Sequence, residues 1–154
     1  MIVAPLEPGQ GHCVEPLLRS CGEVFSEEET RVALAMVVDA LRGNYCILAS
    51  LEGERLAGYC LAGPTPLTES TWHLYWLCVH PQFQRQGVAS ALESALEDAV
   101  RASGGKRIVA ETGSRSDYDP ARAFYRSAGY DECGRIADYY RPGDACCFFC
   151  KVIV

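Results

Sequence analysis

The chain has 154 residues, 49% of them hydrophobic and 22% charged, with a formal net charge of -6. This length and apolar content predict a single domain over residues 1–154. The acidic balance disfavours general binding to nucleic acid or anionic lipid. Apolar runs such as residues 74–79 are too short to span a membrane, and Met1 to Leu6 lack the basic start of an export signal, so the protein is expected to be soluble and cytoplasmic.

Nine cysteines are many for this length, but the odd count and the missing export signal predict reduced thiols. The C-x-x-C motif from Cys147 to Cys150 raises a different function class, a redox or metal-linked module. On a strand, however, these two side chains would point to opposite faces about 10 Å apart, too far for a disulfide. With no second C-x-x-C in the chain, no metal site is predicted.

The first helix signals lie in the first third of the chain. A weak amphipathic pattern predicts a helix over Cys13 to Cys21. Ser26-Glu27-Glu28-Glu29 is a capping box, and the apolar periodicity after it predicts a helix over residues 26–42, ending at Gly43.

The rest of the chain alternates between strand and helix patterns. Glu52-Gly53-Glu54 predicts an antiparallel hairpin. The order strand, helix, strand after it predicts a right-handed crossover with a parallel pair, and hence a mixed α/β sheet. The predicted strands cover residues 45–51, 55–62, 72–79, 107–112, 130–137 and 146–154, the predicted helices residues 86–103 and 117–128, and a loop residues 138–144.

The segment from Val79 to Ala89 joins a strand to a helix through a loop of small and polar residues. Exposed amides at a helix start, together with the positive end of its dipole, suit an anion such as a diphosphate. Gly87 and Ala89 have small side chains or none, so they leave room for the anion to reach these amides. An ordinary tight turn is the alternative interpretation of these positions taken alone.

A second motif, residues 121–130 (Ala-Arg-Ala-Phe-Tyr-Arg-Ser-Ala-Gly-Tyr), follows about 35 residues later. The two motifs, in this order and with a strand between them, resemble the acetyl-CoA-binding motifs of the GNAT superfamily of N-acetyltransferases, and the element order is similar over nearly the whole chain. The resemblance implies a mostly antiparallel sheet whose central parallel pair splays at the acetyl-CoA site, with helices on both faces. It also implies direct acetyl transfer from acetyl-CoA to a primary amine in a ternary complex.

The resemblance further implies which residues contact acetyl-CoA. Main-chain groups of Leu77, Cys78 and Val79 would lie along the pantetheine and polarise the thioester carbonyl. The residues implied in holding the diphosphate are Gln84, Arg85, Gln86, Gly87, Val88, Ala89 and Ser90. The family pattern departs at Tyr118, where many members carry Asn, and at Ala89, where Gly is commoner.

Two residues are candidates for proton transfer. Tyr125 matches the family position whose hydroxyl protonates the departing thiolate, with packing beside Phe124 as the alternative. Glu111 is the first candidate for the base, because a carboxylate in a partly apolar cleft accepts a proton more readily than one in water; a solvent-facing strand position is its alternative. His80 is expected in a surface turn, and His73 as a packed strand residue.

Acceptor recognition is expected from aromatic and acidic residues, which suit a small cationic amine. The candidates are Phe25, Glu27, Glu28, Trp72, Tyr75, Tyr139 and Tyr140. Glutamates at a helix start also serve capping alone. A protein N-terminus or lysine is the alternative acceptor, a non-catalytic acetyl-CoA sensor is the alternative function, and a homodimer is an open alternative for assembly.

Overall fold

The computed structural model describes the backbone of residues 1–154 and every side chain except that of Glu23. Strands and helices alternate, with short 3-10 turns between them. The strands are β1 (Val3–Pro5), β2 (Cys46–Glu52), β3 (Arg55–Pro64), β4 (Thr71–Val79), β5 (Arg107–Gly113), β6 (Asp131–Arg141) and β7 (Asp144–Val152). The α-helices are α1 (Val14–Ser20), α2 (Glu27–Leu41), α3 (Val88–Ala102) and α4 (Asp119–Ser127).

The strands form a seven-stranded mixed sheet in the order β1-β2-β3-β4-β5-β7-β6. The β2–β3 pair is antiparallel, which confirms the predicted hairpin. The predicted parallel pair is β4–β5, in register from Thr71↔Arg107 to Leu74↔Ala110. The β1–β2, β5–β7 and β6–β7 pairs are antiparallel. The α/β class expected from the sequence is therefore confirmed.

Local signals predicted the start of α2 correctly. The Ser26 hydroxyl accepts a hydrogen bond from the Glu29 amide at 3.1 Å, and the Glu29 carboxylate accepts one from the Ser26 amide at 2.6 Å. This reciprocal pair satisfies two amides that a helix start otherwise leaves without partners. The weaker signal before it also corresponds to a helix, α1.

The predicted loop over residues 138–144 was wrong. Strand β6 continues to Arg141 and β7 begins at Asp144, so the turn consists of Pro142 and Gly143. Asp138 takes a left-handed conformation with φ 54°, and the pairing register shifts between Ile136 and Arg141. The polar composition suggested a loop, but the irregularity lets this strand stay paired with β7 beyond it. Strand β1, of only three residues, was not predicted.

The chain divides into two compact units, the first formed by Met1–Gly63 and Tyr75–Ala99. Its core packs α1 and α2 against β2 and β3. The fully buried side chains there include Val14, Leu17, Leu18, Tyr59 and Leu61. A Cβ atom at Gly58 would lie 2.9 Å from both the Cys78 carbonyl oxygen and Val88 Cγ1. This glycine therefore permits the close approach of β3 to the end of β4 and the start of α3.

The second unit is formed by Pro64–Leu74 and Val100–Val154. Its buried apolar side chains include Ile108 on β5, Cys146 and Phe149 on β7, and Tyr125 on α4. A Cβ atom at Gly105 would lie 2.8 Å from the ring of Trp72, which is 9% exposed. Close packing of this kind holds the start of β4 beside the turn that precedes β5.

Candidate functional site

In the first unit, the segment between β4 and α3 is shaped by its own side chains. The His80 Nδ1 atom accepts a hydrogen bond from the Gln82 amide at 3.1 Å, within a short 3-10 turn. The Gln84 side chain donates to the Val79 carbonyl at 3.2 Å, and the Gln86 side chain donates to the Gln82 carbonyl at 2.9 Å. These side chains bind the loop's own backbone and so hold it in place.

The start of α3 presents backbone amides to solvent. Residues 84–87 are exposed, and Arg85 and Gly87 adopt left-handed conformations with φ 60° and 85°. The Ala91 amide donates to the Gly87 carbonyl at 2.9 Å. The amides of residues 88–90 precede that bond and have no acceptor inside the helix. Together with the positive end of the dipole of this 15-residue helix, they form a cradle that fits an anion.

The side chains at the end of β4 alternate in burial. Leu77 and Val79 are half-buried, whereas Cys78 is 4% exposed and its Sγ atom lies 3.4 Å from that of Cys21. Val88, which starts α3, is 3% exposed and anchors the loop in the core, while Ala89 is half-buried and Ser90 exposed. The residues predicted to hold the diphosphate lie in the loop before α3 and in the first turn of that helix.

In the second unit, Tyr125 is held by aromatic contacts on helix α4. Its ring stacks on Phe149 at a centroid distance of 5.4 Å and meets the ring of Tyr130 edge-on at 5.2 Å. The residue is 7% exposed. Packing therefore fixes the ring, and this rigidity is compatible with both interpretations of the residue, structural and acid-donating.

Arg122 and Asp144 position the segment before α4, and sequence reasoning missed both. The Arg122 guanidinium, 8% exposed, donates to the Gly113 carbonyl at 2.5 Å and to the Arg115 carbonyl at 3.1 Å, and it pairs with the Asp119 carboxylate. Asp144 accepts from the Ser114 amide at 3.1 Å. One available signal was the spacing of Arg122, three residues before Tyr125 and thus on the same helical face.

Glu111 lies in a group of ionisable side chains on neighbouring strands. Its carboxylate is 3.6 Å from His73 Nε2, and its other oxygen accepts from Cys146 Sγ at 3.9 Å. Burial lowers the pKa of His73 against the opposing influence of Glu111, so the imidazole is neutral near pH 7. The candidate base Glu111 is thus a neighbour of His73, which was expected only to pack within its strand, and a carboxylate beside a neutral imidazole can accept a proton.

The aromatic residues near the β6–β7 turn form an exposed pair. The rings of Tyr139 and Tyr140 meet edge-on at 5.0 Å, and the side chains are 51% and 45% exposed. The Tyr140 hydroxyl contacts Cys146 Sγ at 3.5 Å, and burial of the hydroxyl raises the pKa of this tyrosine. Both tyrosines therefore present ring surface to solvent, whereas the buried Trp72 is better suited to packing than to contact with an acceptor.

The remaining acceptor candidates belong to the first unit. Phe25 meets Trp76 edge-on at 5.6 Å, and the exposed Tyr75 meets Tyr45 edge-on at the same distance. Glu28 is exposed and lies 3.8 Å from Arg31. Glu27 pairs with Arg19 at 3.0 Å, so a structural role explains this acid without a ligand. The structure does not gather these residues and the tyrosine pair within one unit.

Comparison with known proteins decides the family. The sequence model of the Acetyltransferase (GNAT) family matches residues 13–130. This chain belongs to the GNAT family of acetyltransferases. It is therefore an acyltransferase, and its cosubstrate is acetyl-CoA, as the sequence predicted.

Individual GNAT relatives agree with this assignment. The uncharacterized N-acetyltransferase YsnE of Bacillus subtilis (strain 168) is 36% identical over 107 residues, which cover 68% of this chain and 69% of the relative. A crystal structure of a GNAT-family protein from Desulfovibrio desulfuricans has 33% identity and a TM-score of 0.91, and covers 99% of this chain and 100% of its own. An aminoglycoside 6'-N-acetyltransferase complexed with coenzyme A, at 18% identity and a TM-score of 0.82, shares the fold over 100% of this chain and 98% of its own.

The described residues of this GNAT chain contain neither a membrane-spanning helix nor a metal-binding cluster. No helix among the described residues is both long and apolar enough to cross a membrane. Likewise, the described side chains include no group of three or more His, Cys, Asp or Glu residues arranged to hold a metal ion.

Proposed function

We propose that this GNAT protein transfers the acetyl group of acetyl-CoA directly to a primary amine of a small molecule, with residues 1–154 acting as one catalytic domain. The observation that carries the proposal is the anion cradle at the start of α3. Exposed loop residues, the open approach at Gly87 and the buried anchor Val88 fit a diphosphate at the start of the helix. The residues proposed to hold it are Gln84, Arg85, Gln86, Gly87, Val88, Ala89 and Ser90.

When bound, acetyl-CoA supplies an activated thioester that an amine can attack. We assign the pantetheine contacts to main-chain groups of Leu77, Cys78 and Val79. Their amides and carbonyls are fixed by the sheet, and donors held in advance stabilise developing negative charge without reorganising. These contacts would orient the acetyl group and would not require particular side chains on β4.

Proton transfer is assigned to two side chains. An amine acceptor is an ammonium ion near pH 7, so one proton must leave before it becomes a nucleophile. We assign this step to the Glu111 carboxylate, with the neutral imidazole of His73, 3.6 Å away, as the neighbouring group that orients it. Tyr125 donates its hydroxyl proton to the departing thiolate, and its ring contacts keep the hydroxyl in one position.

A small cationic acceptor is favoured by the charge and the exposed aromatic rings. The chain carries a net charge of -6, which attracts cations over a distance. Tyr75, Tyr139 and Tyr140 are exposed rings that can contact an ammonium group, with Phe25 and Glu28 as further candidates. The same charge disfavours nucleic acid and anionic membranes as partners, and the proposed setting is the cytoplasm.

The test is calorimetric titration of acetyl-CoA into the reduced protein, followed by an assay of coenzyme A thiol release. The acceptor panel contains polyamines, amino acids, aminoglycosides and short peptides. Binding followed by release with a small amine is expected. Release with peptides alone would replace the small-molecule acceptor by a protein N-terminus or lysine. Binding without release from any amine would support a sensor, and no binding would contradict the proposed site.

A further inference from the structure

Two cysteines in the first unit, 57 residues apart in sequence, are in direct contact. Cys21 follows helix α1 as its C-cap residue, and Cys78 lies near the end of β4. Their Sγ atoms are 3.4 Å apart. A disulfide has an S–S length of about 2.05 Å, so the two sulfurs need to approach by roughly 1.4 Å to bond. Side-chain rotation at the end of a short helix can supply a movement of this size.

The two thiols differ in environment. Cys21 is half-buried and accessible to small molecules, whereas Cys78 is 4% exposed. The hydrogen bond from Cys78 holds the pKa of the Cys21 thiol below its usual range. The same hydrogen bond, together with burial, raises the pKa of Cys78. Because the thiolate is the reactive form, Cys21 is the nucleophile of the pair and Cys78 the proton donor.

We propose that Cys21 and Cys78 form a dithiol site that a hydroperoxide oxidises to a disulfide. The Cys21 thiolate attacks one peroxide oxygen, the O–O bond breaks, and the other oxygen leaves as water after taking a proton. The product is a sulfenic acid at Cys21. Cys78 Sγ then attacks that sulfur, the S–O bond breaks, and the oxygen leaves as a second water with the Cys78 proton. Overall, two thiols and one hydrogen peroxide give one disulfide and two waters.

The other cysteines are less suited to this chemistry. Burial raises the pKa of the Cys46, Cys147 and Cys150 thiols, which lowers their thiolate fraction at neutral pH. Cys133 is exposed, and its Sγ atom lies 3.5 Å from the Phe148 carbonyl oxygen. An exposed thiol such as Cys133 can be oxidised to a sulfenic acid, but Cys150, the thiol with which it interacts, has a raised pKa and hence a small thiolate fraction. Of these thiols, we therefore expect the reaction to select the Cys21–Cys78 pair.

The disulfide would join the end of α1 to β4. The proposed function assigns the pantetheine contacts to β4. If that assignment holds, oxidation would alter the strand that binds acetyl-CoA. The formation of the bond itself does not depend on that function. A protein that bound no acetyl-CoA would still form the cross-link, so failure of the dithiol proposal and failure of the proposed function are distinguishable.

The test treats the reduced full chain with hydrogen peroxide, blocks remaining thiols by alkylation, and digests the monomer with trypsin without reduction. Cleavage after Arg19, Arg31, Arg55 and Arg85 leaves Cys21 in residues 20–31 and Cys78 in residues 56–85, which also contain Cys60. We expect these two peptides to be linked, with fragment ions that place the bond at Cys78. Alkylated Cys21 after oxidation, or a bond to Cys60, would overturn the proposal.

Matched variants separate the pair from general oxidation. Cys21→Ser should abolish the linked peptides, and Cys133→Ser, which removes an exposed thiol, should leave their yield unchanged. A second measurement follows the rate of Cys21 alkylation against pH in the reduced protein. Cys78→Ala should move the midpoint of that curve to higher pH, because the thiolate loses its hydrogen-bond donor. Variants are compared only after circular dichroism shows a folded chain. An unchanged midpoint in folded Cys78→Ala would contradict the assigned roles of the two thiols.

Discussion

The loop before α3 and the segment around α4 are built on opposite principles. The backbone amides of residues 88–90 have no acceptor inside α3, while the Gln84 and Gln86 side chains turn back onto the loop's own carbonyls. Around α4, by contrast, Tyr125 and Arg122 are buried side chains with fixed contacts. The loop before α3 should tolerate most changes of side chain, because its proposed binding groups are backbone amides, which nearly every residue type supplies. The segment around α4 should be sensitive to the loss of single atoms.

The largest effect should come from Gly87→Glu, because Gly87 adopts a left-handed conformation beside the proposed anion cradle and the new side chain is negatively charged. A carboxylate placed at the anion cradle should lower acetyl-CoA affinity at least 100-fold, about 3 kcal/mol, in calorimetry. Gly104→Glu is the matched control, since Gly104 has a similar φ of 79° and equally open surroundings but lies after the end of α3. Equal losses in both variants would point to backbone strain and not to the cradle.

Glu111→Gln tests the proposed base on β5. The amide keeps the shape of the carboxylate but cannot accept the proton, so kcat should fall about 100-fold while acetyl-CoA affinity is retained. Glu132→Gln is the control, because Glu132 is a carboxylate held in ion pairs with Arg126 and Arg135. Wild-type turnover in Glu111→Gln would remove Glu111 from the mechanism.

Arg122→Ala tests whether α4 depends on a buried side chain for its stability. The substitution leaves the Gly113 and Arg115 carbonyls without their donor, and should lower the free energy of unfolding by about 2 kcal/mol, roughly 30-fold in the folding equilibrium. Urea denaturation measures the loss. Arg101→Ala, at the end of α3 and with a largely exposed side chain, is expected to change stability much less.

Tyr125→Phe removes one oxygen and keeps the ring contacts. A thiol has an ordinary pKa of about 8.5, so a thiolate leaves fairly readily without an acid, and kcat should fall only about 10-fold. Acetyl-CoA affinity should not change. Tyr130→Phe removes a hydroxyl from the adjacent ring and should leave kcat unaffected. Equal turnover of wild type and Tyr125→Phe would reduce Tyr125 to a packing residue.

The smallest effect is expected from Gln84→Ala, which removes a loop side chain without removing an amide. Loss of its hydrogen bond to the Val79 carbonyl should weaken acetyl-CoA binding only about twofold to fivefold, because the loop retains its other contacts. Gln82→Ala serves as the control. Residue 82 accepts the hydrogen bond from the Gln86 side chain through its backbone carbonyl, so this substitution keeps the bond. A loss as large as that of Gly87→Glu would show that side chains, not amides, hold the anion.

Patterns that depend on neighbouring residues could be predicted from the sequence. The capping box at Ser26, the apolar period of α3 and the hairpin at Gly53 are local, since each requires contacts only a few residues apart. The two family motifs are also local, and they were sufficient to predict the fold, acetyl-CoA and an acyltransferase. The proposed site residues on the α3 loop follow from the same motif.

Features formed by residues far apart in the chain were decided only by the tertiary structure. The contacts of Cys21 with Cys78 and of Glu111 with His73 depend on strand register and on how helices pack, which no short pattern encodes. The extension of β6 beyond Asp138 depended likewise on the pairing that β7 offers. The sequence alone was sufficient to predict the family and the loop before α3. The binding groups of that loop are backbone amides, and their positions depend on the conformation of neighbouring residues. Which side chains meet was left to the fold, because that depends on distances between elements that only packing sets.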